Sequence, residues 1–155
     1  MILTTHALAG AVIGKNISQP WIIITLSIII HFIMDTFRHG EYVELFSKNT
    51  SIKKSGWKIA LDIFIGFSFL SLLFGLDQKD VTSITNVIIG IIASVFPDFV
   101  TFLYWKFRWK FLKRYYDFHS WIHKYPRNAP ERQWTLQNAT NDILISTIAI
   151  ILLFT

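Results

Sequence analysis

The sequence predicts an all-α fold, a polytopic transmembrane helical bundle that forms a single membrane domain over residues 1–155. Three observations predict this class. Hydrophobic residues make up 52% of the chain and the mean hydropathy is positive, which is more apolar than an ordinary soluble domain. The apolar residues gather in blocks that approach the roughly 20 residues a spanning helix requires. Polar and basic stretches separate the blocks, which cover 20–37, 57–76, 82–105 and 134–155.

A short helix is predicted over residues 4–15, at the start of the chain. About 12 residues rise only about 18 Å, which cannot cross a hydrocarbon core of about 30 Å. Gly10 and Gly14 lie four residues apart, so we expect this helix to pack closely against its neighbours. A signal peptide begins with basic residues, but none precedes Lys15, so Met1 is expected to be retained.

Three spanning helices are predicted to follow. The first covers 20–38, with Pro20 at its first position, where a missing N–H is tolerated. The next begins at Trp57, a residue type that favours the membrane interface, and returns across the membrane. The third starts near Thr82, and Pro97 should kink or break it because proline lacks an amide donor and crowds the preceding turn.

An amphipathic helix is predicted over residues 99–125, where aromatic and basic residues alternate. This composition suits a helix at the level of the lipid headgroups, with its lysines and arginines turned toward water. A polar loop follows Pro126, and the fourth spanning helix covers 134–155. The prediction is therefore four spanning helices, one short N-terminal helix and one amphipathic interfacial helix.

The basic residues predict the orientation of the bundle. Thirteen of the fifteen Lys and Arg residues fall in the segments 36–58 and 106–132, whereas the link 76–83 carries two acids and one lysine. By the positive-inside rule, the basic segments face the cytoplasm from a cytoplasmic (inner) membrane. Contact with membrane lipids then explains the net charge of +5, and we favour it over nucleic-acid binding.

Ionisable residues recur at one depth in the predicted bundle. Each costs about 2.5 to 3.5 kcal/mol to insert into a membrane, so such residues are candidates for a functional site. His31 lies one helical turn before Asp35. At about 1.5 Å per residue, four acids fall about 20 to 24 Å from the outer ends of their helices, and these are Asp35, Asp62, Asp98 and Asp142.

Clustered acids and histidines predict a divalent metal site near the cytoplasmic boundary. A divalent ion satisfies acids that would otherwise repel one another. The chain has no cysteine, so histidine and carboxylate must supply the ligands. The spacing of four in His31/Asp35 and His119/His123 presents two ligands on one helix face. The set suffices for one or two zinc ions, and it comprises His6, His31, Asp35, His39, Asp62, Asp98, His119 and His123.

Several of these residues also have simpler explanations. The pair His31 and Asp35 could form only an intrahelical hydrogen bond. Asp62 could reach the interface, and Asp98 could cap a helix that restarts after the proline. Asp142 stands in a stretch that resembles a helix start, so capping is favoured there and no further role is assigned.

Five stretches resemble a known family: THALAGAVIG, HFIMDTFRHGEY, LDIFIG, FPDF and HSWIH. They are similar to the bacterial membrane-bound metal-dependent hydrolases whose SOS-induced inner-membrane member gave the family its name. The resemblance implies a helical inner-membrane hydrolase, distantly similar to zinc-dependent phospholipase C and S1-type nuclease. This sequence departs from the family's pattern at Arg38, where the family tends to have proline. The family's histidines and acids correspond here to the eight predicted ligands.

A metal-dependent hydrolase is therefore the leading hypothesis, a phosphoesterase acting on a lipid-linked phosphoester. A zinc-like ion would lower the pKa of bound water toward about 7, and Asp62 or Asp98 would act as the catalytic general base. Two other hypotheses remain: a small transporter or channel for metal ions or protons, and a non-catalytic membrane protein with a structural metal. The substrate phosphate would be held by Arg38, Lys106 and Arg108.

Overall fold

The computed structural model describes residues 2–41, 57–58, 60–68, 71, 81–125 and 129–155. All regular structure within these residues is helical, which confirms the predicted all-α class. Single 3₁₀ turns at Lys110–Leu112 and Pro130–Arg132 precede the last two helices. In chain order the helices are α1 (Leu3–Asn16), α2 (Pro20–Asp35), α3 (residues 60–68), α4 (Val81–Phe107), α5 (Lys113–Ile122) and α6 (Leu136–Phe154).

Two helices in the described part of the chain are long and apolar enough to cross a membrane. They are the 26 residues Thr82–Phe107 within α4 and the 19 residues of α6. Helix α2 is apolar as well, but its 16 residues are fewer than a span requires. Much of the predicted span 57–76 lies outside the described residues. Two of the four predicted spans are therefore supported by length and composition.

Helix α1 packs against α4 through glycines, as the sequence predicted. A Cβ atom built on Gly10 would overlap the carbonyl oxygen of Gly90, and one built on Gly14 would overlap that of Asn86. Only glycine allows two helix backbones to approach this closely. The buried apolar core lies beside this contact and joins α1, α4 and α6 through Leu8, Ala11, Val87, Ala149 and Leu153.

Helix α4 is longer than predicted and replaces the first part of the expected interfacial helix. It continues through Pro97 and ends at Phe107, so residues 99–107 extend the candidate span. The break follows at Arg108, whose φ of 56° is a left-handed conformation that cannot continue an α-helix. A separate helix, α5, then begins at Lys113. The predicted amphipathic segment is thus divided between the end of α4, a 3₁₀ turn and the separate helix α5.

Two helix ends also differ from the prediction. Helix α2 ends at Asp35, before the predicted end at residue 38. Helix α6 begins at Leu136, where the Thr135 hydroxyl accepts a hydrogen bond of 3.2 Å from the Asn138 N–H. Asp142 therefore lies inside α6, and the predicted helix start at this residue is wrong.

Replacing Gly10 by alanine should destabilise the bundle, because the added Cβ forces α1 away from α4. We expect the free energy of unfolding in mixed detergent micelles to fall by about 1 to 3 kcal/mol. Gly40→Ala is the matched control, since a Cβ there would lie 3.4 Å from its nearest neighbour, which is an ordinary contact. Equal stability of the two variants would contradict the close packing of α1 on α4.

Candidate metal centre

The carboxylate of Asp35 lies at the centre of a buried cluster of histidines. Its Oδ2 atom is 3.1 Å from His31 Nε2, 2.9 Å from His119 Nε2 and 3.5 Å from His123 Nε2. The side chains of Asp35 and His31 are fully buried. The last turn of α2 supplies Asp35 and His31, and α5 brings His119 against them.

Three of these atoms have the mutual spacing of ligands around a tetrahedral ion. Ligand atoms about 2.0 to 2.1 Å from such an ion lie roughly 3.3 Å from one another. Asp35 Oδ2 is 3.1 Å from His31 Nε2 and 2.9 Å from His119 Nε2, and the two nitrogens are 3.4 Å apart. These three atoms are therefore close enough together to hold a divalent cation.

Asp98 and His6 extend this arrangement on the side of α4 and α1. Asp98 Oδ1 lies 3.8 Å from His119 Nε2, and Asp98 Oδ2 lies 3.8 Å from His6 Nε2. His6 Nε2 is also 3.3 Å from Asp35 Oδ1. The Asp98 side chain is 27% exposed, so the cluster is accessible from outside the bundle at this residue. The first group that could hold a metal ion comprises His31, Asp35, Asp98 and His119.

Ser94 orients the ring of His31 and holds the backbone of His6. Its backbone carbonyl lies 2.8 Å from His31 Nδ1, and its hydroxyl donates to the backbone carbonyl of His6 at 2.7 Å. A carbonyl oxygen can only accept, so His31 Nδ1 carries a proton. The Nε2 atom of a neutral His31 is then an acceptor that faces Asp35. No sequence pattern points to Ser94, because a backbone carbonyl has no residue-specific signal.

A second group lies beside the first and shares Asp35. It comprises Asp35, His39 and His123. His39 was predicted to extend the helical row of α2, but that helix ends at Asp35. The segment after α2 positions the His39 ring, and its Nδ1 atom lies 2.6 Å from the carbonyl oxygen of Phe37. His39 Nε2 is 3.1 Å from Glu41 Oε1.

Glu41 is a site residue that sequence reasoning missed. Its Oε1 atom lies 3.2 Å from His123 Nδ1 and accepts a hydrogen bond from the Arg132 guanidinium. Its backbone N–H donates to the Arg132 carbonyl at 3.0 Å. Burial raises the pKa of Glu41, but the contacts with His39, His123 and Arg132 together hold it below its ordinary value. Its position two residues after His39 was the available signal.

Burial keeps two of the outer histidines neutral. It lowers the pKa of His6 to about 4 and that of His123 to about 3, although the Asp35 carboxylate opposes both shifts. A metal ligand must be unprotonated to offer its lone pair. Both rings are therefore in the ligand-competent state at neutral pH.

Asp62 was predicted as a ligand and a catalytic base, but the structure places it at the N-terminus of α1. Its two oxygens accept hydrogen bonds from the N–H groups of Leu3 at 2.8 Å and Thr4 at 3.2 Å. Asp142 accepts from the N–H of Ile2 at 3.1 Å. The first N–H groups of a helix lack partners within it, and acids stabilise that end. Neither acid belongs to the two groups.

The predicted phosphate-binding residues lie outside the buried cluster. The Arg38 Nε atom donates to Asn138 Oδ1 at 2.5 Å. Lys106 and Arg108 are exposed at the end of α4. Lys106 follows Asp98 by two turns, which is about 12 Å along the helix axis.

The described residues thus define an all-helical protein in which two adjacent groups of buried histidine and aspartate could hold a metal ion. No protein-family model, no curated protein and no solved structure matches the chain.

Replacing Asp62 by alanine should lower stability without removing bound metal. The substitution leaves two N–H groups at the start of α1 without acceptors, and we expect a loss of about 1 to 2 kcal/mol in the free energy of unfolding. Metal content, measured by elemental analysis of the purified protein, should match that of the control Asp117→Ala, which removes an exposed acid paired with Lys113. Loss of metal with unchanged stability would return Asp62 to the ligands.

Proposed function

We propose that this protein is a metal-dependent hydrolase of the cytoplasmic membrane. A zinc-like divalent ion would be held by the first group, and the proposed substrate is a lipid-linked phosphoester. One observation carries the proposal: the Nε2 atoms of His31 and His119 and the Oδ2 atom of Asp35 face one another at the spacing of a tetrahedral coordination shell.

The electrostatics of the cluster support a cation at this point. His31 donates through Nδ1 to the Ser94 carbonyl, so its Nε2 lone pair faces the carboxylate of Asp35 at 3.1 Å. Two buried acceptors at this distance repel unless a positive charge lies between them. A proton on His31 Nε2 or a divalent ion can each supply this charge. The ion would also be coordinated by His119 Nε2 once that ring carries its proton on Nδ1.

The residues of the first group have separable roles in hydrolysis. A zinc ion would lower the pKa of its bound water to about 7 and would polarise a phosphoryl oxygen. Asp35, His31 and His119 would hold the ion. Asp98, the only partly exposed carboxylate of this group, can accept a proton from an entering water and act as general base. Both carboxylate oxygens of Asp62 accept hydrogen bonds from N–H groups at the start of α1, so Asp62 is not assigned this role.

The second group supports a second ion. Asp35 belongs to both groups, so with His39 and His123 it would help to hold a second ion, which would supply further positive charge for the phosphoester. Glu41 lies within hydrogen-bonding distance of His39 and His123, where it adds negative charge. One or two zinc ions are therefore compatible with the proposal.

The membrane setting is the reason for proposing a lipid-linked substrate. Asp98 lies on α4, a candidate span, and that helix ends in an exposed basic and aromatic turn. Such a turn suits the level of the lipid headgroups on the cytoplasmic side of the membrane. In the proposed multi-pass bundle, the basic segments face the cytoplasm. Arg38, Lys106 and Arg108 are the proposed partners of the substrate phosphate. The resemblance to membrane-bound metal-dependent hydrolases points to the same class.

Asp35→Asn should weaken zinc binding at least tenfold, because the amide lacks the negative charge shared by both groups. We expect wild-type protein in detergent to bind one or two equivalents of zinc by isothermal titration and the variant to bind less than a tenth as tightly. Asp117→Asn, an exposed acid on α5, is the control for the loss of one charge. Zinc binding by Asp35→Asn at wild-type affinity would rule out this centre.

Removal of the metal should abolish hydrolysis reversibly. The protein, dialysed against a chelator, should lose turnover of aryl phosphomonoesters, phosphodiesters and a diacyl phosphoester in mixed micelles, and zinc should restore it. Asp98→Asn should retain most bound zinc while losing about 10²- to 10⁴-fold in rate, because the general base is missing. Bound zinc without any turnover would favour a structural metal, and zinc or proton flux in proteoliposomes would favour a transporter.

A further inference from the structure

The hydroxyl of Thr101 lies between two groups that can each accept its only proton. Thr101 Oγ1 is 3.1 Å from the carbonyl oxygen of Pro97 and 2.5 Å from His119 Nδ1. A hydroxyl has one proton to donate and can also accept. Thr101 can therefore donate to His119 Nδ1, or donate to Pro97 and accept a proton from the histidine.

His31 and His119, the two histidines of the first group, differ in the partner of their Nδ1 atoms. The partner of His31 Nδ1 is a carbonyl oxygen, that of Ser94, which can only accept. His31 is thus confined to the tautomer with the proton on Nδ1. The partner of His119 Nδ1 is a hydroxyl, which suits either tautomer. Of these two rings, only His119 can change its tautomer and keep a hydrogen bond at Nδ1.

We propose that Thr101 lets His119 exchange its tautomer when a divalent cation binds. In the metal-free protein, His119 carries its proton on Nε2 and donates it to Asp35 Oδ2 across 2.9 Å, while Thr101 donates to Nδ1. In the loaded protein, the proton is on Nδ1 and is donated to Thr101, whose own proton turns to Pro97. The inference rests on the proposed metal function for the second of these states.

The exchange requires no change in charge and little movement. One proton leaves Nε2 and one is taken up at Nδ1 through solvent, so the ring stays neutral and its proton count is unchanged. The heavy atoms stay in place because Tyr115, four residues before His119 on α5, donates its hydroxyl to the Pro97 carbonyl at 3.0 Å and holds α5 against α4. Only the hydroxyl proton of Thr101 rotates.

The consequence is a ligand that is fully hydrogen-bonded in both states. Without the hydroxyl, the metal-free ring would leave Nδ1 as a buried acceptor, and the metal-bound ring would leave it as a buried donor. An unmatched buried donor beside a metal ligand weakens coordination, and loss of such a partner lowers metal affinity by about 10- to 100-fold. Thr101 is thus a positioning residue that acts through His119.

Nitrogen NMR of protein with ¹⁵N-labelled histidine tests the exchange directly, because the protonated ring nitrogen resonates well upfield of the bare one. The His119 signals, assigned with a His119→Gln variant, should show the proton on Nε2 in the metal-free protein and on Nδ1 after addition of Zn²⁺. His31 is the internal control, with its proton on Nδ1 in both samples.

Two variants of Thr101 separate this role from packing. Thr101→Val keeps the shape but removes the hydroxyl, and should weaken Zn²⁺ binding by about 10- to 100-fold. Thr101→Ser keeps the hydroxyl and should retain both the affinity and the tautomer change. Thr147→Val is the matched control, since the Thr147 hydroxyl also donates to the carbonyl four residues earlier, that of Ile143 at 2.7 Å, on an exposed face of α6.

The outcomes distinguish the inference from the proposed function. Zinc binding with the His119 proton on the same nitrogen in both wild-type samples overturns the exchange and leaves the metal site intact. Equal affinity of Thr101→Val and Thr147→Val overturns the role of the hydroxyl. Absence of zinc binding by the wild-type protein overturns the proposed function and this inference together. The wild-type spectra decide the question even if Thr101→Val does not fold.

Discussion

The burial of one carboxylate, that of Asp35, is the constraint on which the rest of the arrangement depends. Its side chain is excluded from solvent, and ring nitrogens of four histidines lie within 3.5 Å of its oxygens. An ionised carboxylate in such a place is unfavourable unless cationic or donor groups compensate it. The histidines come from α1, α2, α5 and the residue after α5, so satisfying this single charge requires those elements to meet.

Close packing at glycine residues brings α1 against α4 and so places α1 beside the cluster. Because Gly10 lies directly against Gly90, α1 and α4 approach closely enough for Ser94 to donate its hydroxyl to the carbonyl of His6. The same approach brings the His6 ring to Asp35 and Asp98. Close backbone packing in the apolar part of the bundle thus sets the position of a ring in its polar part.

Depth along the helices was readable from the sequence, whereas rotation about the helix axes was not. Counting residues placed Asp35, Asp98 and Asp62 at similar depths, and the first two do lie near each other in the cluster. Asp62 faces the start of α1 instead, because depth does not say toward which neighbour a side chain points. The end of α2 at Asp35 was also missed, and with it the route by which Glu41 comes to His39.

The contacts at the start of α1 bear on the order in which the chain can be assembled. The N–H of Ile2 is bonded to Asp142, 140 residues later, and that of Leu3 to Asp62. Contacts so distant in sequence form late, because a long loop must first close. The start of α1 therefore gains its hydrogen bond to Asp142 only after α6 has been synthesised. The partners of His6 lie on α2 and α4, so its ring can reach the cluster before α6 is added, while the helix that carries it still lacks the acceptor for the Ile2 N–H.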